Sequence, residues 1–397
     1  MAAEPPRRVA GVITEEADPI GASPHLDGFD GLRAIAVLAV ASYHFFQVAV
    51  VFPDPNSAAF DIGGQLRVGV WIFFVVSGFL LYRPYARAHA NRGATPSLSR
   101  YARSRFLRIW PAYAVLVIVL TYVWHRIEVH GWQGLLVHIT LTQNYVPSQV
   151  PWHSHGLGPA WSLVVEASFY VMLPLYAWII SRASSRVAAV WRIEIAGLAG
   201  LVVVGVAWQF ATVGHVILAT TLPSFLPTFA IGMAFAVAVT HRRDFGLTRL
   251  AARPWACWTL AAGLVVAKGV IGGFDFFALG FEFQNQIVYS AIALLVVVPA
   301  VFGDSTRRGN RALRSPPFHL LGVISYGFFL WSIPVMVAVQ GEWIPLRSAF
   351  WGRTAVVAVV SFVVTAAIAT ASWWIVERPA LKLKGRRRTT PVSAAQH

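Results

Sequence analysis

The feature that most constrains this chain is the recurrence of apolar windows about as long as a bilayer is thick. A hydrocarbon core of roughly 30 Å is crossed by about twenty helical residues. Ten windows of that length occur, at about 31–52, 66–83, 109–126, 160–181, 193–213, 221–240, 255–273, 283–303, 318–340 and 354–376. The reading is an all-α, polytopic integral membrane protein with about ten transmembrane helices. Composition agrees, with 57% hydrophobic and 12% charged residues. Residues 27–380 read as one membrane domain between a polar tail, 1–26, and a basic tail, 381–397. The first tail carries Glu4, Glu15, Glu16 and Asp18 and lacks a basic n-region, so it is expected to be retained rather than cleaved.

Charge fixes the expected orientation. Numbering the gaps alternately as inside and outside places 27 of the 32 Lys and Arg residues on one side. By the positive-inside rule that side is cytoplasmic, with both termini. The basic excess is thereby a topological signal, and no nucleic-acid partner is expected. Cys257 is the single cysteine, which excludes an internal disulfide and a multi-cysteine zinc site. The long external loop, about 127–159, holds His130, His138, His153 and His155, read as interfacial histidines with no metal bound. Its stretch "LLVHITLTQ" suggests a short re-entrant or interfacial helix.

Ionisable groups inside hydrocarbon are costly, so each one is a candidate functional residue. Of twelve histidines, His44 alone lies well inside a window, and of seventeen carboxylates, Glu166 alone does. At 1.5 Å per residue both fall about 10 Å from the external face. An imidazole and a carboxylate at matching depth make a candidate general base and its orienting partner. The alternative is that His44 only satisfies a neighbouring carbonyl.

Arg33 precedes His44 by eleven residues, about 20° beyond three turns, so the two share a helix face roughly 16 Å apart. Arg105 and Arg108 are three apart on the lead-in to the third window, hence also on one face. Guanidinium groups bind phosphates bidentately. Arginines at the cytoplasmic mouth with a histidine deeper would suit a long ligand with an anionic head and a reactive far end. Snorkelling and topology are the competing explanations for these arginines.

These residues sit in motifs that resemble the acyltransferase-3 family of membrane acyltransferases, in order from about residue 30 to 380. "DGLRAIAVLAVASYH", beginning at Asp30, is similar to the family's arginine, ten residues, histidine pattern. "GVWIFFVVSGFLLYR" carries Ser77 and Gly78. Arg105 and Arg108 match an R-x-x-R pair, and "WSLVVEASFY" carries Trp161, Ser162, Glu166 and Tyr170. "ISYGFFLWSIP" and "IVERP" supply Ser325, Tyr326 and Glu377. In the late segment this chain has Phe329 and Ser332 where many relatives have tyrosine and histidine.

The resemblance implies His44 as the catalytic histidine, Arg33 as a functional arginine, and Arg105 with Arg108 as a hold on CoA; with Glu166 as the orienting partner of His44, all three arginines are expected to hold the nucleotide end. The implied donor is cytoplasmic acyl-CoA, with no permanently bound cofactor. The implied acceptor is a hydroxyl of a sugar, glycolipid, envelope polysaccharide or macrolide, at the inner (cytoplasmic) cell membrane. Ser77, Ser162 and Tyr326 are candidate oxyanion stabilisers, and Trp132, Trp152 and Trp161 candidate sugar platforms. A glycolipid transporter or flippase with a His/Glu proton relay is the rival reading, although no hydropathy symmetry between halves supports it.

Overall fold

The computed structural model describes residues 27–48, 58–126, 131–146, 157–272, 281–304, 308–340 and 351–385. Among them there is no strand, and the protein is an all-α polytopic membrane protein. Among the described residues nine helical runs are long and apolar enough to cross a bilayer, or ten if one bent pair is a single span. In chain order the first half holds α1 (Asp27–Val48), α2 (Ala58–Gln65), α3 (Gly69–Ala90), α4 (Leu98–Ile118), α5 (Gly131–Ile139), α6 (Ala160–Ser184) and α7 (Val190–Ala211). A short α8 (Val216–Ala219) leads into α9 (Leu222–Thr240), and α10 (Leu247–Ala251) into α11 (Pro254–Gly272) and α12 (Phe281–Phe302). After α13 (Arg308–Leu313) come α14 (Pro316–Val323), α15 (Ser325–Ala338), α16 (Trp351–Ser372) and α17 (Arg378–Lys382).

Three departures from the windows matter. The second span begins earlier, since α2 and a 3₁₀ turn, Leu66–Val68, run into α3. The ninth window is bent by 72° between α14 and α15. The bend is held by Ser325 Oγ, which donates to the Gly322 carbonyl at 2.8 Å. At the C-terminus, order continues through a π turn, Trp373–Glu377, α17 and a 3₁₀ turn, Leu383–Gly385, so the expected tail begins as helix. The rest of both tails, residues 1–26 and 386–397, lies outside the described residues.

Helices α3 and α9 form the centre, with 78% and 72% of their apolar windows buried, against 22% for α7 and for α11. Their contact depends on two glycines. A Cβ on Gly78 would strike the Phe229 carbonyl oxygen, and one on Gly232 the Val75 carbonyl oxygen. In lipid, where apolar contact alone gives little preference for a partner helix, such small-residue seams set which helices pair. Phe74, Phe169 and Phe229 stack beside this seam, the closest ring centroids being 3.9 Å apart.

A buried polar knot secures one end of the bundle. Glu194, at the start of α7, is fully buried and accepts the Tyr82 hydroxyl at 3.1 Å. His89 Nδ1 and His241 Nε2 lie 2.9 and 2.8 Å from its carboxylate. The other nitrogen of His89 donates to the Ala177 carbonyl at 3.1 Å, so α3, α6, α7 and the end of α9 are tied together. A buried carboxylate with three partners holds geometry where a bare one would be costly. The stretch expected outside, about 127–159, is partly seen: α5 is the short helix expected there, with Trp132 73% exposed. Trp152, His130, His153 and His155 lie outside the described residues.

Candidate functional site

The site follows from where α1, α3, α4, α6 and α15 converge. They enclose a cavity of about 110 Å³. Nine residues singled out from the sequence line it: Arg33, Ser77, Arg105, Arg108, Ser162, Glu166, Tyr170, Ser325 and Tyr326. Apolar side chains, among them Phe73, Leu80 and Phe329, make up the rest of the wall.

Glu166 is the anionic centre. Its Oε1 accepts two short hydrogen bonds, from Ser77 Oγ of α3 at 2.8 Å and from the Tyr170 hydroxyl one helical turn on at 2.7 Å. Tyr170 is itself anchored, since the Tyr101 hydroxyl of α4 donates to its carbonyl at 3.1 Å. Three helices are thus joined at one carboxylate.

The arginines differ in their partners. Arg33 donates to Asp30 at 3.3 Å, and His319 of α14 lies 3.0 Å from the other Asp30 oxygen. Arg108 pairs with Glu377 at 3.6 Å and lies over the Tyr326 ring at 5.7 Å. The π turn carries Glu377, which is 2% exposed, inward to meet it. Arg105 lies over the Tyr170 ring at 5.8 Å and has no carboxylate partner among the described residues. Arg33 is within electrostatic reach of both Arg108 and Glu166.

The remaining expected residues play other parts. Tyr326 donates to the Ile109 carbonyl at 2.7 Å, Ser162 to that of Pro159 at 3.0 Å, and Ser77 to Glu166. All three candidate oxyanion donors are therefore engaged within the protein. Gly78 serves the α3–α9 seam. Trp161 stands off the cavity, its ring 5.4 Å from Phe225 and its carbonyl accepting from Asn144 at 2.9 Å. Ser332 is buried and donates to the Phe329 carbonyl at 3.1 Å within its own helix.

His44 is on the same unbroken helix as Arg33, which preserves the rise of about 16 Å between them. It is half-buried beside Tyr43, with ring centroids 4.8 Å apart. It does not line the cavity, and no hydrogen bond joins it to Glu166, whose described partners are Ser77 and Tyr170. Sequence reasoning missed His319 and the C-terminal Lys384. Burial, with Arg105, Arg108 and Arg33 nearby, pushes the Lys384 ammonium down to about 8. Among the described residues no group of three His, Cys, Asp or Glu side chains could hold a metal ion.

An all-helical membrane bundle with an arginine-lined internal cavity around one carboxylate defines the class. The chain belongs to the acyltransferase-3 family, matching its acyltransferase domain over residues 26–374. It is 25% identical over 385 residues to the O-acetyltransferase OatA of Staphylococcus aureus, covering 90% of this chain and 57% of OatA. It is 26% identical over 374 residues to YrhL of Bacillus subtilis (strain 168), whose name refers to peptidoglycan O-acetyltransfer, covering 89% of this chain and 55% of YrhL. Nodulation protein 10 of Rhizobium leguminosarum bv. viciae is 27% identical over 396 residues, 91% of this chain and 95% of that protein. The chain thus spans little more than half the length of the first two. No solved structure matches it.

Proposed function

We propose that the protein is a membrane-embedded O-acyltransferase that moves a short acyl group from cytoplasmic acyl-CoA to a hydroxyl of a sugar, envelope glycan or glycolipid. The observation that carries this reading is the cavity where Arg33, Arg105 and Arg108 line one wall system with the Glu166 carboxylate, Arg33 standing on the helix that continues to His44. Relatives named as O-acetyltransferases support the chemistry.

The arginines hold the donor phosphates, and the thioester arm runs along α1. His44 takes the proton of the acceptor hydroxyl as its oxygen attacks the thioester carbonyl. The tetrahedral intermediate collapses, the carbon–sulfur bond breaks, and the imidazolium returns a proton to the departing CoA thiolate. Glu166 supplies a fixed negative charge that stabilises the cationic imidazole from the neighbouring wall.

Reconstituted vesicles given radiolabelled acetyl-CoA and a sugar acceptor test the reading. Label on the acceptor, lost in His44→Ala at unchanged protein abundance, is the expected result. Movement of acceptor across the vesicle without label would make the protein a transporter. Undiminished labelling by His44→Ala would remove the histidine from the chemistry.

A further inference from the structure

A fourth cation, Lys384, lies outside the cavity wall but within electrostatic reach of the three arginines that line it. The C-terminal run from Trp373 to Gly385 packs along α4, the helix that carries Arg105 and Arg108. Glu377 in that run pairs with Arg108, and seven residues later, on the last turn packed against α4, Lys384 comes within electrostatic reach of Arg105, Arg108 and Arg33. Only two of the four cations have a carboxylate: Arg33 has Asp30 and Arg108 has Glu377. Arg105 and Lys384 have none among the described residues.

Like charges this near one another repel, and an anion of several charges that entered would relieve the repulsion. We propose that Lys384 is a fourth phosphate-binding residue of the donor site, delivered by a C-terminal segment that the sequence pattern presents as a basic tail. The inference rests on the acyl-CoA reading above and deepens it. An ammonium is a point charge on a flexible stem, suited to a phosphate that the planar guanidinium forks leave unmet.

The sign of the pH dependence follows. In the free protein Lys384 is charged below about 8 and loses its proton above. A bound phosphate raises that value, so binding above about 8 requires proton uptake and weakens by up to about tenfold per pH unit. Phosphate monoesters complete their second ionisation near pH 6, below this window. The groups facing Lys384 are Arg105 and Arg108 on α4 and Arg33 on α1, and guanidinium groups stay charged throughout. Glu377 on its own run and the Asp30–His319 pair across the mouth are left intact by the variants below.

The test is titration of the full chain with unacylated CoA, in a neutral detergent free of anionic lipid, from pH 7 to 9. Lys384→Gln should weaken CoA binding about tenfold at pH 7, the loss of roughly one charge-assisted contact at a half-exposed site. Lys384→Arg should restore it, and both variants should lose the wild-type decline above pH 8. Unchanged CoA affinity in Lys384→Gln, or a wild-type profile that is flat with pH, overturns the inference and leaves the donor reading standing. CoA that binds neither wild type nor variants removes the donor reading and this inference together. An effect of Lys384→Gln seen only when anionic lipid is added would assign the lysine to headgroups and overturn it.

Discussion

Glu166 shows how a single residue can be legible in type and hidden in partnership. A carboxylate inside an apolar window stands out because so few exist, and Tyr170, one turn on, is readable from helical spacing. Ser77 is 89 residues away, and nothing in the pattern of either helix joins it to Glu166. Matched depth suggested His44 as the partner. Depth, however, fixes only one coordinate, and the hydrogen bonds of the carboxylate go to Ser77 and Tyr170. These bonds predict the outcome of Glu166→Gln. The amide oxygen still accepts both, so yield and thermal stability in detergent should hold, while the negative charge facing Arg33 disappears. Single-turnover acyl transfer should fall about 10²–10³-fold, the range for losing one preorganised electrostatic stabiliser. Combined with His44→Ala, the loss should be no deeper than that of the worse single variant, because groups acting as a unit are not additive. An undiminished rate in Glu166→Gln would leave the carboxylate only a structural acceptor.

At the scale of elements, the α3–α9 seam places Ser77, since Gly78 beside it sets how close α3 lies to α9. Apolar windows reveal that both helices exist, but their meeting depends on Gly78 and Gly232, whose neighbours only the packed structure displays. The bend between α14 and α15 was hidden for a related reason: a Ser325 hydroxyl turned onto a carbonyl three residues back leaves hydropathy unchanged. Gly232→Ala should drive its Cβ into the α3 backbone at Val75 and destabilise the fold by about 1–3 kcal/mol, the usual cost of overpacking. Thermal unfolding in detergent checks this, with Gly200→Ala as control, because a Cβ there meets nothing within 4 Å. Equal midpoints for the two variants would show that the seam tolerates separation. Where the seam opens, Ser77 should drift from Glu166, and transfer activity should fall with stability in Gly232→Ala alone.

For the molecule as a whole, one-dimensional properties were legible and lateral ones were not. Helices α3 and α7 have nearly equal window hydropathy, 1.7 and 1.8, yet 78% of one and 22% of the other is buried. Hydropathy reports the bilayer, which treats both alike, and so carries no account of which helix is central. Charge segregation is one-dimensional and survives as an expectation about sidedness, with 27 of the 32 basic residues on the side of Arg33 and Lys384. If that side is cytoplasmic, the donor mouth is open only to the cytosol. Labelled acetyl-CoA added outside inside-out vesicles should then acylate the acceptor at once. Sealed right-side-out vesicles should give no product until detergent admits the donor. Equal rates in both preparations would mean that the arginine mouth does not select the donor's side, and the link between charge pattern and direction of transfer would fail. High salt sharpens the test: a mouth with two uncompensated cations should lose donor affinity as ionic strength rises, because screening shortens to about 3 Å at 1 M. An uncharged sugar acceptor should be affected far less. A salt response in the KM for acetyl-CoA without one in the KM for the sugar would place the electrostatics on the donor half of the reaction.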